Sequence, residues 1–528
     1  MLRFKKYISV VVFVFLLLEL LGQAADREET NGFARELTRL QLLKQRNSLG
    51  TDTSKMQHAI YPLIGSESAY DTNDVIFNYD PSIQLNKKGL NKIRLRAYPL
   101  FGLNAGGQIQ EGNSSGFNRS SIGGHFGVSV GTRFEFKVNY IEHNARLNAF
   151  ENHFVEQNDV VPGQGYAYAV GDRTFFRDLN GYAAYRASKH FHLQLGRGKN
   201  FIGDGYRSLL LSDVGYNYDY FKMTTDFWKV RYVNLFTHMT DVRFSNGRVT
   251  AFEEKYTAMH YLSIQPTKRW NLGLFEAVIW QADDSISHRG FDVNYVNPII
   301  FYRPVEFSVG SPDNVIIGLN SSVIVSKSVK LYGQFLLDEF KIDELRARDG
   351  WWANKYSIQL GAYYFNAFNV EDLTFQAEYN VVRPFTYSHG NVLMNYGHFN
   401  QPLSHPLGAN FQEGVAIVNY VKERWMLEFK STVALVGTES ASDTISSGTD
   451  IFKSYSLRER ERNYSLPGLD AEKLATAEVR ANYLVNKASN LQLEARLGYR
   501  VDTRSGAPDF WYARIGLRTA LFNRYNDY

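Results

Sequence analysis

Two stretches of this chain carry the residue types that bind sugars. One is a glycine-rich run at positions 196–207, and the other is a pair of adjacent tryptophans. Planar aromatic rings stack on the apolar faces of sugars, while Asn, Asp and Arg side chains hydrogen-bond hydroxyl or acidic groups. The predicted carbohydrate-binding residues are Arg197, Lys199, Asn200, Asp204, Tyr206, Arg207, Trp351 and Trp352.

Other chemistries fit the chain less well. Gly196 and Gly198 have the spacing of a phosphate-binding loop, but no strand–helix–strand unit surrounds them, so we expect a tight connection or inward bend there. His190 and His192 share a predicted strand face, yet no third ligand stands at a readable spacing. We therefore predict neither a cofactor nor a metal.

The acidic residues do not form a recognisable catalytic set. Asp338, Glu339, Asp343 and Glu344 could supply a general acid and base, but no nucleophile motif accompanies them. The connection at 341–352 is expected to hold a helical turn. The sequence therefore predicts a protein that is not an enzyme.

The elements that must position these residues are β-strands. In residues 490–500, Leu493 and Leu497 fall on one face and Glu494 and Arg496 on the other, which is a period of two. The same alternation occurs at 92–97, 133–140, 374–381, 425–430 and 477–483. A composition with 34 Tyr, 37 Phe and 41 Gly but only 13 Pro also favours β-sheet over other folds.

A soluble β-sandwich or propeller would alternate in the same way, so further features are needed to choose. Many segments end in aromatic residues, as do the strands of barrels that have an aromatic girdle at each membrane interface. The opposite faces of the segments carry mixed charges, which suit a water-filled lumen. Examples of these aromatics are Trp425, Tyr483, Tyr499 and Trp511. The chain also finishes on an amphipathic segment at 511–521 followed by further aromatics, which is typical of the terminal strand of an outer-membrane barrel. We predict an all-β fold, a large closed antiparallel transmembrane barrel of about 16–20 strands over residues 90–528.

The first residues have the three parts of a secretory signal. A basic start and an apolar run at 8–18 lead to the small residues Ala24 and Ala25, so we predict a cleaved signal peptide at 1–24. An uncleaved anchor would need about 20 apolar residues, and Glu19 interrupts the run. Residues 25–89 are predicted to be an N-terminal periplasmic segment with a short helix at 28–46, where apolar residues recur at helical spacing.

Composition excludes several further classes. The chain has no cysteine, so disulfides, thiolate metal sites and lipid attachment to a cysteine are impossible. Its net charge is only +4, with basic residues scattered among acidic ones, so nucleic acid is not an expected partner.

The run GRGKNFIGDGYR at 196–207 and the YNY that follows at 216–218 resemble the RemB-type gliding-motility proteins, a branch of the Wzi-like capsule-assembly barrels. YVNP at 295–298, SPDN at 311–314 and HPLGANF at 405–411 support this resemblance, which covers roughly residues 90–528. It implies an 18-stranded barrel of the cell outer membrane that holds surface polysaccharide, and a role in movement over surfaces.

Together, the pattern and the resemblance predict a non-enzymatic outer-membrane barrel that binds or organises extracellular or capsular polysaccharide and contributes to gliding motility or adhesion. A lumen lined with charges leaves a diffusion channel, or porin, as an alternative. A scaffold subunit of an envelope complex is a third possibility. The expected partners are outer-membrane lipid, surface polysaccharide, and envelope or motility proteins.

Overall fold

The computed structural model describes residues 60–61, 82–85, 93–131, 133–283, 289–297, 313–339, 341–439, 444–466, 471–486, 490–504, 506–519 and 525–528. These residues form a closed antiparallel β-barrel of 18 strands. The predicted fold class is therefore confirmed. Its strand number falls within the predicted range and equals the number that the resemblance implied.

The barrel strands follow one another in chain order. They are β1 (Ile93–Gln110), β2 (Asn113–Val130), β3 (Phe134–Arg146), β4 (Arg173–Arg186), β5 (Phe191–Gly198), β6 (Tyr218–Phe227), β7 (Val230–Asp241), β8 (Glu253–Thr267), β9 (Trp270–Gln281), β10 (Asn314–Ile324), β11 (Val329–Glu339), β12 (Lys355–Phe365), β13 (Leu373–Val382), β14 (Phe411–Lys422), β15 (Trp425–Val436), β16 (Glu472–Asn486), β17 (Leu491–Asp502) and β18 (Phe510–Arg518). The helices of the described residues are α1 (Ala149–Asn158) and α2 (Ile342–Ala347). Short strands at Ile60–Tyr61, Ser82–Leu85, Tyr168–Val170, Phe201–Ile202, Gly397–His398 and Gln401–Pro402 complete the sheets.

The period-two pattern places each side chain inside or outside the barrel. On β17, Leu493 and Leu497 are exposed on the outer surface, at 38% and 54%, while Glu494 and Arg500 are buried on the lumen side. The last strand, β18, pairs with β1, for example at Ile515 opposite Ala105, and this pairing closes the cylinder. Closure satisfies the backbone groups of every strand edge, as a hydrocarbon environment requires.

The two ends of the barrel differ in their connections. One end carries short turns such as 228–229 and 423–424, whereas the other carries long connections such as 199–217 and 383–410. In outer-membrane barrels the short turns face the periplasm and the long loops face outward, so we call these ends periplasmic and extracellular.

The predicted aromatic girdles lie at both ends of the outer surface. Tyr499 and Trp511 stack with their ring centroids 4.2 Å apart near the extracellular end. Trp425 and Tyr483 lie 4.8 Å apart at the periplasmic end. Such paired belts mark the two interfaces of the outer membrane.

Segments from several connections fill the lumen. We define the lumen plug as residues 199–217, 383–410 and 525–528. The hydroxyls of Tyr387 and Tyr396 donate to the carbonyls of Leu209 and Leu210 at 2.8 and 2.7 Å, which joins the two longer segments. All four side chains are fully buried in one apolar cluster, so this cross-section of the barrel is packed like a protein core.

The end of the chain differs from the sequence expectation. The predicted terminal strand is present and is described as far as Arg518, and two of the aromatics beyond it do not extend the barrel wall. Tyr525 and Tyr528 are buried inside the lumen instead, and the Tyr528 ring meets Phe150 of α1 edge-on at 5.6 Å. The cause is the charge of Asp527, which lies between these tyrosines and pairs with the distant residues Arg207 and Lys430 in the lumen.

Most of the predicted N-terminal features, including the signal peptide and the helix at 28–46, lie outside the described residues. Within the predicted segment 25–89, Ile60–Tyr61 pairs with Phe201–Ile202 of the plug, and Ser82–Leu85 pairs with the start of β1. The barrel sheet thus begins before residue 90. Among the helices described, none is long and apolar enough to span a membrane.

Candidate functional site

Two extracellular loops form one surface at the mouth of the barrel. Residues 341–354 connect β11 to β12 and contain α2, which confirms the predicted helical turn. Residues 444–466 belong to the connection between β15 and β16. The backbone N–H of Trp352 donates to the carbonyl of Glu461 at 3.1 Å, so the loops are joined directly.

This surface carries a cluster that we call the aromatic platform, made of Trp351, Trp352, His389 and Tyr455. The centroids of the two indoles are 6.0 Å apart, and Trp352 lies 4.9 Å from Tyr455. The imidazole of His389 meets Tyr455 edge-on at 5.6 Å. All four side chains are only half-buried, so they remain accessible from the outside.

Cationic groups lie on the rings of the platform. The guanidinium of Arg458 is 4.2 Å from the centroid of Trp352, and the ammonium of Lys341 is 5.0 Å from that of Trp351. Arg458 also forms an ion pair with Glu461. The electron-rich ring faces attract these cations and hold them at the mouth of the barrel.

A buried arginine fixes the platform from below. Arg383 donates to the carbonyls of Asn354, Tyr464 and Trp351 at 3.2, 3.2 and 3.3 Å. Because these carbonyls belong to both loops, one guanidinium ties the loops to the plug segment that follows β13. These hydrogen bonds hold the two loops of the platform in a fixed arrangement.

The other predicted binding residues have different surroundings. Asp204 lies inside the lumen, where its carboxylate accepts from Lys330 at 2.7 Å. Burial raises the pKa of Asp204, but the Lys330 ammonium and hydrogen bonds from Asn320 and Ser322 together leave the pKa below its usual value. Asn200 is also fully buried, and its backbone N–H donates to Tyr218 at 3.1 Å.

Arg207 and Tyr206 belong to an ionic cluster at the centre of the plug. The Arg207 guanidinium is 0% exposed and lies 3.2 Å from Glu413 and 3.3 Å from Asp527. Tyr206 donates to Asp527 at 2.8 Å, and Lys430 forms a further ion pair with that carboxylate at 3.2 Å. These charges compensate one another within the protein.

Arg197 and Lys199 lie apart from both groups. Arg197 projects from the outer surface of β5 and pairs with Asp219 at 2.9 Å. Lys199 donates to the carbonyl of Gly163 at 2.8 Å. The structure therefore brings Trp351 and Trp352 together at the mouth and distributes the remaining predicted residues over the plug and the wall.

The glycines of the same run have a different role from the one expected. Gly196 continues β5 without a positive φ, and a Cβ there would lie 2.6 Å from the carbonyl oxygen of Gly181. The inward bend comes later, at Gly203, whose φ of 148° favours glycine. Gly196 is thus required by close strand packing.

The histidines and carboxylates considered as metal ligands or catalytic groups lie in separate places. No group of three metal-ligating side chains occurs within the described ranges. The ring of His190 contacts the carbonyl of Asp226 at 2.7 Å in a turn that precedes β5. Asp338 pairs with Lys355 at 2.9 Å, and Glu344 pairs with Arg462 at 2.9 Å, so these carboxylates lie in separate ion pairs.

Sequence reasoning missed Lys341, His389, Tyr455 and Arg458 as neighbours of the tryptophans. Their positions depend on pairing between connections that are distant in sequence, which a local pattern does not reveal. One signal was available: the loop at 454–464 reads SYSLRERERNY, with an aromatic at each end of a charged run.

No protein-family model matches the chain, and no curated protein matches it. Among solved structures, it is similar to Wzi of Escherichia coli, described as a carbohydrate-binding β-barrel of the outer membrane involved in group 1 capsule assembly. The identity is 12%, the match covers 94% of this chain and 100% of that one, and the TM-score is 0.55. At this identity the likeness shows the fold alone.

Weaker similarities lead to Pseudomonas aeruginosa outer-membrane proteins. OpdL matches at 8% identity over 80% of this chain and 98% of that chain, with a TM-score of 0.43. OprD matches at 11% identity over 80% and 94%, with a TM-score of 0.40. These scores are too low to support an argument about function. The likeness to Wzi agrees with an outer-membrane barrel fold.

Proposed function

We propose that the protein is a non-enzymatic barrel of the outer membrane that binds extracellular or capsular polysaccharide at the aromatic platform. The observation that carries this proposal is the clustering of half-buried rings and cations at the extracellular mouth. Rings of this kind stack on sugar faces, and Arg or Lys donors hydrogen-bond sugar oxygens. The name of the Wzi neighbour, a carbohydrate-binding barrel, agrees with this chemistry.

The lumen plug supports binding over diffusion. A porin needs a continuous aqueous path, whereas Leu209, Leu210, Tyr387 and Tyr396 fill the lumen with fully buried apolar side chains. We expect no steady conductance from the purified protein in a planar bilayer. Stable open channels would favour the porin alternative.

The first test replaces the tryptophans of the platform. We expect Trp351→Ala and Trp352→Ala each to weaken binding of surface polysaccharide to the detergent-purified protein by about tenfold or more, because each truncation removes a central aromatic contact. Trp511→Ala is the matched control, since Trp511 is 52% exposed on the membrane-facing wall at the same end. Calorimetry or a glycan array provides the measurement.

The outcomes separate clearly. Loss of binding in the platform variants with retention in the control supports the proposal. Equal binding by all the variants would refute it, provided that their heat-modifiable migration shows folded barrels.

A role in gliding or adhesion is the finer part of the proposal, and it is supported by the sequence resemblance alone. Cells that carry Trp351→Ala and Trp352→Ala together should retain less surface polysaccharide and spread less on a surface than cells that carry the Trp511→Ala control. If instead the protein co-purifies with a stoichiometric envelope partner and binds no glycan, the scaffold alternative is correct.

A further inference from the structure

A group of basic side chains lies on the two loops that carry the aromatic platform. We call it the cationic rim, and it consists of Lys341, Arg346, Arg348 and Arg460. All four side chains are exposed, and three of them belong to the loop that carries the tryptophans. Arg460 lies 4.9 Å from the ring centroid of Tyr464, so its guanidinium is oriented by an aromatic face.

The rim is not neutralised by the protein itself. Within the described ranges, none of its four members forms an ion pair with a carboxylate, whereas three of the five carboxylates in 341–354 and 454–464 pair with Arg458 or Arg462. Glu461 pairs with Arg458, and Glu344 and Asp349 pair with Arg462. In these described stretches, the four unpaired cations of the rim outnumber the two unpaired carboxylates, Asp343 and Glu459, so an excess of positive charge faces solvent.

The positive charge is local and does not characterise the whole extracellular end. The connection at 147–172, which contains α1, carries Glu151, Glu156, Asp159 and Asp172 and no lysine or arginine. A protein surface with a general excess of basic residues would not show this contrast. The excess of unpaired cations is thus a property of the two loops that carry the rings.

Backbone geometry contributes to the placement of the rim. Helix α2 ends at Ala347, and Arg348 follows in the left-handed conformation with a φ of 56°. This conformation is uncommon for a residue with a side chain. It reverses the chain after the helix and returns it toward Trp351.

We propose that the platform selects acidic polysaccharide, and that the cationic rim binds carboxylate groups of uronic-acid residues while the rings contact the sugars. This inference rests on the proposed function and adds the chemical class of the ligand. Arginine suits the role because its planar guanidinium can donate two parallel hydrogen bonds to one carboxylate. Lys341 supplies a point charge over Trp351.

The experiment compares two probes that differ only in charge. Oligogalacturonate carries one carboxylate per sugar, and its carboxyl-reduced form has the same linkage and length without the charge. Affinity is measured by calorimetry with the full-length protein in detergent. Because a hydrogen bond to a charged group contributes about 1.5–3 kcal/mol, we expect the acidic probe to bind at least about tenfold more tightly.

Variants then assign the preference to the rim. Arg348→Gln and Arg460→Gln should each weaken binding of oligogalacturonate by about tenfold and leave binding of the reduced probe unchanged. Arg424→Gln is the matched control, because Arg424 is an exposed arginine in a turn at the periplasmic end. Raising the salt concentration should reduce the affinity for the acidic probe more than that for the reduced probe.

Each outcome is decisive. Equal affinity for the two probes overturns the acidic preference and leaves the proposed glycan-binding function standing. Binding of neither probe, together with silence on a wider glycan array, overturns both. A loss of acidic binding in Arg424→Gln as large as in the rim variants would show a general charge effect and would also overturn the inference.

Discussion

Acidification should loosen the lumen plug through His398. This side chain lies in the short hairpin of Gly397–His398 and Gln401–Pro402 and is 2% exposed. Its Nδ1 accepts the backbone N–H of Thr240 at 2.9 Å, and its Nε2 lies 3.1 Å from the carbonyl of Asn217. Only the neutral tautomer with the proton on Nε2 satisfies both bonds.

The loss of stability expected on acidification follows from the pKa of His398. Burial lowers the pKa of His398 from 6.5 to about 3, and nearby Lys255 and Arg197 act in the same direction. Because the pKa is depressed in the folded state, the stabilisation is complete above pH 6.5 and is lost as the pH falls toward 3. One pKa unit corresponds to about 1.4 kcal/mol, so acidification from pH 6.5 to pH 4 should cost about 3 kcal/mol.

The assay compares the native protein with His398→Gln. A glutamine can accept from Thr240 and donate to Asn217, but it does not titrate. Urea unfolding in detergent, followed by heat-modifiable migration at pH 7, 5.5 and 4, gives the free energy of unfolding of each protein. We expect the native protein to lose about 3 kcal/mol more than the variant over this range.

Other buried histidines, such as His405, must also be considered. Burial also lowers the pKa of His405, although Glu413 2.6 Å away opposes the shift. His405 is present in both proteins, so its contribution cancels in the difference between them. Parallel pH profiles for the native protein and His398→Gln would refute the reasoning.

Two further predictions concern the plug and the wall. Arg207→Met leaves the buried carboxylates of Glu413 and Asp527 without their shared guanidinium, so it should lower the free energy of unfolding by about 3–5 kcal/mol in the same urea assay. An unchanged unfolding midpoint would contradict this account. Gly196→Ala places a Cβ 2.6 Å from a facing backbone carbonyl and should cost about 1–3 kcal/mol, whereas Gly198→Ala, with its nearest neighbour 3.8 Å away, should be close to neutral. Melting temperatures of the two glycine variants test this difference, and equal values would contradict it.

The barrel could be predicted from the sequence because its pattern is local. Each strand alternates between lipid and lumen, so a few residues such as Leu493, Glu494, Arg496 and Leu497 reveal both faces. The inward course of the chain end could not be predicted in this way. It depends on Asp527 meeting Arg207 and Lys430, which belong to connections and strands far away in the sequence.

The candidate site was predictable only in part, for a related reason. Trp351 and Trp352 are adjacent and aromatic, and this suffices to suggest a sugar platform. Tyr455 and Arg458 join them through hydrogen bonds between two long connections, and no local periodicity encodes that pairing. Composition can therefore nominate residues for binding, but it cannot show which of them meet.

Charge compensation distinguishes the two kinds of predicted residue. Asp204 and Arg207 are buried and each has a counterion within the protein, so a substitution leaves an uncompensated charge in the lumen and should reduce stability. Arg348 and Arg460 are exposed and lack such a counterion within the described ranges, so their substitution should reduce ligand affinity with little change in unfolding. Measuring both quantities for both pairs should separate polar residues that hold the plug from those that bind a glycan. A binding defect in the Arg348 and Arg460 variants that always accompanied a loss of stability would contradict this division.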